Sequence, residues 1–178
     1  KTPVLTLAKN RIVWLLVLVL SAMVTGALLQ HYEAAISALP LLVSFIPMLM
    51  DTGGNGGSQA STMVIRGLAL DEIRPADLLT VWWKEARVAL LCGGVLAAVN
   101  FLHIWVQYGD VGIAAVVALT LICTIFIAKS LGCLLPMAAK KLRLDPALMA
   151  SPLITTITDA CSILVFFQFS TLILADRL

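Results

Sequence analysis

The sequence predicts an all-α integral membrane protein with five transmembrane helices per chain, and three observations support this. The 178 residues are 61% hydrophobic and only 12% charged, whereas a soluble domain is roughly 45–50% apolar and about 25% charged. So few polar residues cannot coat a water-soluble domain of this size. The apolar residues also form runs long enough to cross the roughly 30 Å hydrocarbon core of a bilayer.

The five spans form one domain over residues 1–178. They cover about residues 12–29, 35–70, 88–106, 111–137 and 146–174. The second span is expected to be broken by a glycine-rich motif. A charged stretch, Asp77 to Arg87, precedes the third span, and its pattern predicts a separate amphipathic helix at the membrane interface.

The distribution of basic residues predicts the orientation of the spans. Lysines and arginines precede span one and fill the links between spans two and three and between spans four and five, whereas the other two links contain none. The positive-inside rule therefore places the N-terminus in the cytoplasm and the C-terminus outside, in the cytoplasmic (inner) membrane. The net charge of +2 is too small to indicate a nucleic-acid partner, so lipid is the expected surrounding.

Asp159 lies near the middle of span five, where a carboxylate costs roughly 2.5–3.5 kcal/mol on insertion scales. Ser151, Thr155 and Asp159 are four residues apart, so a helix aligns their oxygens on one face. Such a row of hard oxygen ligands suits a cation such as Mg²⁺ or Ca²⁺. The alternative is a protonated Asp159 that is hydrogen-bonded to a neighbouring helix.

The second polar feature is the run Gly53-Gly54-Asn55-Gly56-Gly57 inside span two. Four glycines in five positions disfavour an uninterrupted helix, and an unwound segment at membrane depth exposes carbonyl oxygens that can bind an ion. Asp51 and Asn55 add side-chain oxygens. The alternative is close helix–helix contact through small residues.

Two further charged residues have open interpretations. Lys129 in span four either extends its amine to the cytoplasmic interface or pairs with an acidic residue, which could lie on span two. Asp145 before Pro146 is explained as a helix N-cap, although its place at the cytoplasmic mouth also suits the attraction of cations.

Two motifs in this order resemble those of the MgtE family of magnesium channels. The first is Gly53 to Ala60 followed by Val64 to Leu70, and the second is Leu144 to Pro152 followed by Thr155 to Asp159. The layout of five spans resembles this family over essentially the whole chain. The cytoplasmic N domain and CBS pair of the family are absent from this sequence, so we expect either an excised membrane domain, which the start at Lys1 without Met favours, or a relative that never had them.

The resemblance implies a homodimer with one Mg²⁺ pathway at the two-fold axis, lined by spans two and five of both subunits. Asp159 falls on the intramembrane aspartate that binds hydrated Mg²⁺ together with its copy, and Ser151 and Thr155 fall on pore-lining positions. Gly54 and Asn55 fall on the pore-facing part of span two, and Asp145 on an acidic position at the cytoplasmic end.

The sequence departs from the family at Asp51, where a small or apolar residue is expected, and at Ser151, where relatives can carry an amide. Asp51 therefore adds negative charge near the pathway.

A magnesium channel domain is accordingly the expected function, with Mg²⁺ as the transported ion and other divalent cations as further candidates. The alternative is a proton-coupled secondary transporter of divalent cations, in which Asp159 carries the proton. An enzyme is not expected, because His31 and His103 lie near span ends and an H-E-x-x-H motif is absent.

Overall fold

A computed structural model describes residues 3–143 and 145–178, except the side chains of residues 7, 10, 14 and 147–151. The described part of the chain is helical, with three short 3₁₀ turns at Pro40–Phe45, Pro75–Asp77 and Ala175–Arg177. Its α-helices are α1 (Val4–His31), α2 (Glu33–Ala38), α3 (Ile46–Ala69), α4 (Leu78–Tyr108), α5 (Val111–Lys141) and α6 (Pro146–Ile173).

In the described part of the chain, four helical segments are long and apolar enough to cross a membrane. They are Val4–His31, Pro75–Tyr108, Val111–Lys141 and Pro152–Ile173. The prediction of an all-α membrane protein is therefore confirmed. Helix α3 is not among the four because its sequence carries a row of polar side chains.

The prediction of a separate interfacial helix from Asp77 to Arg87 is wrong. The carboxylate of Asp77 accepts a hydrogen bond of 2.9 Å from the backbone N–H of Arg74, and α4 begins at the next residue. No proline follows before Tyr108, so the first turns of α4 continue directly into the membrane-length helix.

The prediction that the glycine-rich motif breaks span two is also wrong. Helix α3 runs without interruption from Ile46 to Ala69 and includes all four glycines of the motif. The break lies upstream, where Leu39 has φ −132° and ψ 79° and Pro40 opens a 3₁₀ turn. Proline lacks an N–H and disfavours helical geometry in the residue before it, so the chain bends there.

The glycines of α3 allow close contact with α5 and α6. A Cβ atom on Gly53 would lie 2.6 Å from a methyl group of Thr158 and 2.7 Å from one of Thr124, and a Cβ on Gly57 would lie 2.5 Å from Ile154. Because glycine has no side chain, the helices approach each other closely at these positions. The resulting packing offsets the low helix propensity of glycine. Close helix contact, the alternative interpretation of the motif, is what the structure contains.

Two apolar clusters hold the helices together at opposite ends of the bundle. The larger contains Leu42 and Phe45 of the 3₁₀ turn together with Phe166 and Phe167 of α6. The smaller contains the side chains Val64, Leu68, Cys133 and Met137. This second end also carries the links from α3 to α4 and from α5 to α6, and we call it the basic end for its residues Arg66, Arg74, Lys84, Arg87, Lys140, Lys141 and Arg143.

An ionic contact secures the opposite end. Asp110 is the N-cap of α5 and accepts a hydrogen bond of 3.1 Å from the backbone N–H of Ile113, and Arg177 pairs with its other carboxylate oxygen. Burial alone raises the pKa of Asp110, but these hydrogen bonds and the charge of Arg177 together hold it below its usual value. The chain after α6 is thereby tied to the start of α5.

The tightest of these contacts predicts a strong effect for Gly132→Ala. A Cβ atom on Gly132 would lie 2.3 Å from the carbonyl oxygen of Gly57, so α3 and α5 must move apart. We expect a loss of about 1–3 kcal/mol in the free energy of unfolding, measured as a lower midpoint of thermal unfolding in detergent.

Gly94→Ala is the matched control, because nothing lies within 4 Å of a Cβ at Gly94. Alanine favours helix over glycine by up to about 1 kcal/mol, so this variant should be as stable as the parent or more so. Equal midpoints for the two variants would contradict the close packing of α3 on α5.

Candidate functional site

An open groove of about 520 Å³ runs between α3 and α6. Helix α3 supplies the polar residues Asp51, Asn55 and Ser58, and α6 supplies Thr155 and Asp159. Its described lining residues are Ile46, Pro47, Met50, Asp51, Gly54, Asn55, Ser58, Thr155 and Asp159. Five of the predicted site residues therefore lie together: Asp51, Gly54, Asn55, Thr155 and Asp159.

The groove contains two carboxylates from one chain. Asp159 is partly buried in it, and Asp51 is exposed on the side of α3. Among the described residues that line the groove, none carries a positive charge. A site of this composition attracts cations and repels anions.

Asn55 fixes the orientation of the Asp51 carboxylate. The Nδ2 atom of Asn55 donates a hydrogen bond of 3.1 Å to Oδ2 of Asp51, one helical turn away. This bond uses an N–H of the Asn55 amide group and leaves the amide oxygen to act as an acceptor. Because α3 is unbroken here, side-chain oxygens rather than unwound backbone carbonyls give α3 its polarity.

Thr155 is held in position by a proline within α6. Its Oγ1 donates to the carbonyl oxygen of Pro152 at 3.1 Å, and Oγ1 of Thr156 donates to the same carbonyl at 2.7 Å. A hydroxyl that uses its proton in this way acts on a cation through its oxygen. Thr155 and Asp159 thus place two oxygen-bearing groups on consecutive turns of α6.

A second open region continues the groove along α3 and has a volume of about 730 Å³. It is lined by Asn55, Ser58, Gln59, Thr62 and Met63, so it shares Asn55 and Ser58 with the first region. Ser58 and Thr62 are site residues that the sequence reasoning missed. The available signal was the series Asp51, Asn55, Ser58 and Thr62, whose successive intervals of four, three and four residues place them on one face of a continuous helix.

The remaining predicted site residues do not line the described part of the groove. The side chain of Ser151 lies outside the described residues. Asp145 is exposed before the first turn of α6, about 20 Å along the helix from Asp159 at 1.5 Å per residue. Its role at the mouth of a pathway stays a prediction.

One chain does not offer a complete protein cage for a metal. The described residues contain no group of three or more His, Cys, Asp or Glu that could hold a metal ion. In the groove, one chain thus offers an ion two carboxylates, and the other lining groups that can bind it are neutral oxygens.

Lys129 forms an ion pair within the bundle, and its partner lies on α4 rather than on span two. The residue is only 6% exposed, and its Nζ lies 3.8 Å from Oε2 of Glu85 on α4. Next to this pair, Nε1 of Trp82 donates to Oγ of Ser130 at 3.0 Å. Both contacts join α4 to α5 behind α3 and near the basic end.

Comparison with known proteins identifies the family of the chain. The model of the MgtE family, described as a divalent cation transporter, matches residues 46–169. The chain belongs to the MgtE family. The matched range includes α3 and most of α6, and therefore every described residue that lines the groove.

Three proteins named magnesium transporter MgtE are similar to the chain over most of its length. Those of Thermus thermophilus and Bacillus subtilis are 36% and 30% identical to it over 166 and 164 residues, 92% of the chain in both cases. That of Enterococcus faecalis is 29% identical over 165 residues, 93% of the chain. The chain spans 36% of the length of each relative.

The buried ion pair predicts that removing one of its members destabilises the protein more than removing both. Glu85→Ala leaves the Lys129 ammonium buried without its carboxylate, and we expect a loss of about 3–5 kcal/mol in the free energy of unfolding. The double variant Glu85→Ala with Lys129→Met removes both charges and should recover much of that loss. Thermal unfolding in detergent measures both, and a double variant no more stable than Glu85→Ala would contradict a buried, mutually dependent pair.

Proposed function

We propose that this chain is the membrane domain of a magnesium channel and that Mg²⁺ crosses the cytoplasmic membrane along the α3–α6 groove. The observation that carries the proposal is the position of Asp159, a carboxylate at mid-helix in a polar groove with Thr155 and without a described basic neighbour. Membership in a family described as divalent cation transporters and the names of the relatives support Mg²⁺ as the ion.

A second copy of the chain completes the pathway. Asp51, Asn55, Gln59 and Thr62 are exposed on one face of α3, and hydrocarbon cannot solvate such a face. Pairing two copies about a two-fold axis encloses both grooves and brings equivalent residues to face each other. The two Asp159 carboxylates then lie on opposite sides of one water-filled path.

The chemistry of Mg²⁺ suits such a path. Mg²⁺ is small, prefers octahedral oxygen coordination and loses its water reluctantly, so it is bound through its hydration shell by carboxylate, amide and hydroxyl oxygens. Two facing carboxylates repel each other when no ion is present. One divalent cation neutralises both charges, whereas a monovalent cation neutralises only one.

The remaining features of the proposal follow from the helix order. The domain has five spans, of which the second comprises α2, the 3₁₀ turn and α3. The basic end lies in the cytoplasm by the positive-inside rule, so the N-terminus is cytoplasmic and the C-terminus outside. Asp145 then stands at the cytoplasmic mouth, and Ser151 lies on the α6 helix between Asp145 and Thr155.

The first test replaces the central carboxylate. We expect Asp159→Asn and Asp159→Ala to reduce Mg²⁺ uptake at least tenfold in liposomes that contain the protein and a magnesium-sensitive dye, because the groove loses the charge that holds the ion. Asp176→Asn, an exposed aspartate after α6, is the control and should transport normally. Uptake and divalent preference that survive both Asp159 variants would overturn the proposal.

The second test separates a channel from a proton-coupled transporter. A transporter completes a conformational cycle for each ion, and a cycle of about a millisecond limits its flux to about 10³ ions per second. We expect single-protein Mg²⁺ flux far above about 10³ per second, unchanged when a pH gradient is imposed or collapsed. Flux that stops without a proton gradient would instead establish the coupled transporter.

A further inference from the structure

The groove contains a carboxylate that the proposed Mg²⁺ path through Asp159 does not require. Asp51 lies on α3 and lines the same groove as Asp159 on α6. A charged side chain within a membrane protein is costly unless it has a partner or a function. Its described hydrogen-bond partner is a neutral amide, Asn55, so its charge remains available to an ion in the groove.

The packing of α3 on α6 places Asp51 beside the level of Asp159. Gly53 faces Thr158 and Ser162, whereas Gly57 faces Ile154, so residue numbers rise along one helix as they fall along the other. Asp51 therefore lies slightly farther from the basic end than Asp159.

Asn55 lies one turn nearer the basic end than Asp51. The pair of α3 side chains thus spans the height at which Asp159 enters the groove. Along the helix axes, an ion at the level of Asp159 is therefore within about one turn of both residues.

The contact with Asn55 restricts the carboxylate of Asp51. Its Oδ2 is bonded at 3.1 Å, and both residues stand on an unbroken helix. A carboxylate that is held on a rigid helix stays at nearly the same distance from the bound ion when one ion replaces another. It therefore acts mainly through charge, and charge distinguishes divalent from monovalent cations.

Resting on the proposed function, we propose that Asp51, positioned by Asn55, sets the preference of the pathway for divalent over monovalent cations. The attraction of one carboxylate for a divalent cation is twice its attraction for a monovalent cation at the same distance. At about 6 Å through water, loss of that attraction weakens binding of a divalent cation roughly tenfold and of a monovalent cation about threefold. The ratio of the two affinities falls about threefold.

Asp51→Asn tests this role with a side chain of nearly the same size. Uptake of Mg²⁺ into liposomes is measured over a range of Mg²⁺ concentrations, with and without Na⁺ as competitor. Because both copies lose the charge, we expect the half-saturating Mg²⁺ concentration to rise at least about tenfold and competition by Na⁺ to strengthen at least about threefold. The matched control is Asp71→Asn, which removes the same charge from an exposed residue of the α3–α4 link and should leave both values unchanged.

Parallel measurements on Asp159→Asn separate this inference from the proposed function. If Asp159→Asn loses uptake but Asp51→Asn matches the parent in both values, Asp51 has no selective role and the inference is overturned while the pathway stands. If Asp159→Asn transports normally, the pathway itself is wrong.

Asp51→Glu decides the case in which Asp51→Asn carries no flux. Glutamate keeps the charge, so restored uptake with divalent preference supports the inference. Absence of uptake in an Asp51→Glu protein that elutes in size-exclusion chromatography like the parent overturns it and assigns Asp51 a structural role.

Discussion

The contact of the α3 glycine face with α5 and α6 is the interaction on which the rest of the structure depends. Gly53 and Gly57 let the methyl groups of Thr124 and Thr158 and the side chain of Ile154 approach the α3 backbone closely. Asp51 and Asn55 lie on the other side of α3 from these glycines. Burying the glycine side against α5 and α6 therefore directs Asp51 and Asn55 into the groove. The helical repeat of the α3 sequence thus determines both the packing of its glycine side and the polarity of its groove side.

The sequence was sufficient for the all-helical membrane class and for five residues that line the groove. These features depend on composition and on local runs, which a sequence displays directly. The sequence was misleading at the glycine motif. The unfavourable helix propensity of glycine, about 1 kcal/mol per residue, is visible in the motif itself, whereas the contacts that compensate for it come from α5 and α6. The polar residues Ser58 and Thr62 were missed for the same reason: their common face exists only if the helix is continuous.

The partner of Lys129 illustrates a different limit. Its position in an apolar segment was sufficient to indicate either an interfacial amine or an ion pair, but Glu85 is 44 positions away in sequence. The pairing depends on α4 extending back to Leu78 as one helix and on its register against α5. Neither follows from the spacing of residues within one segment, and a separate helix from Asp77 to Arg87 would have placed Glu85 elsewhere.

The continuity of α3 also has a mechanical consequence. A helix of 24 residues is a rod about 36 Å long at 1.5 Å per residue, and its internal hydrogen bonds resist local stretching. Asp51, Asn55 and Thr62 cannot change their mutual spacing, so the groove widens or narrows only when the whole rod tilts, slides or rotates against α6. Displacement of either end of α3, at the basic end or at the bend near Leu39, therefore moves Asp51 relative to Asp159 on α6.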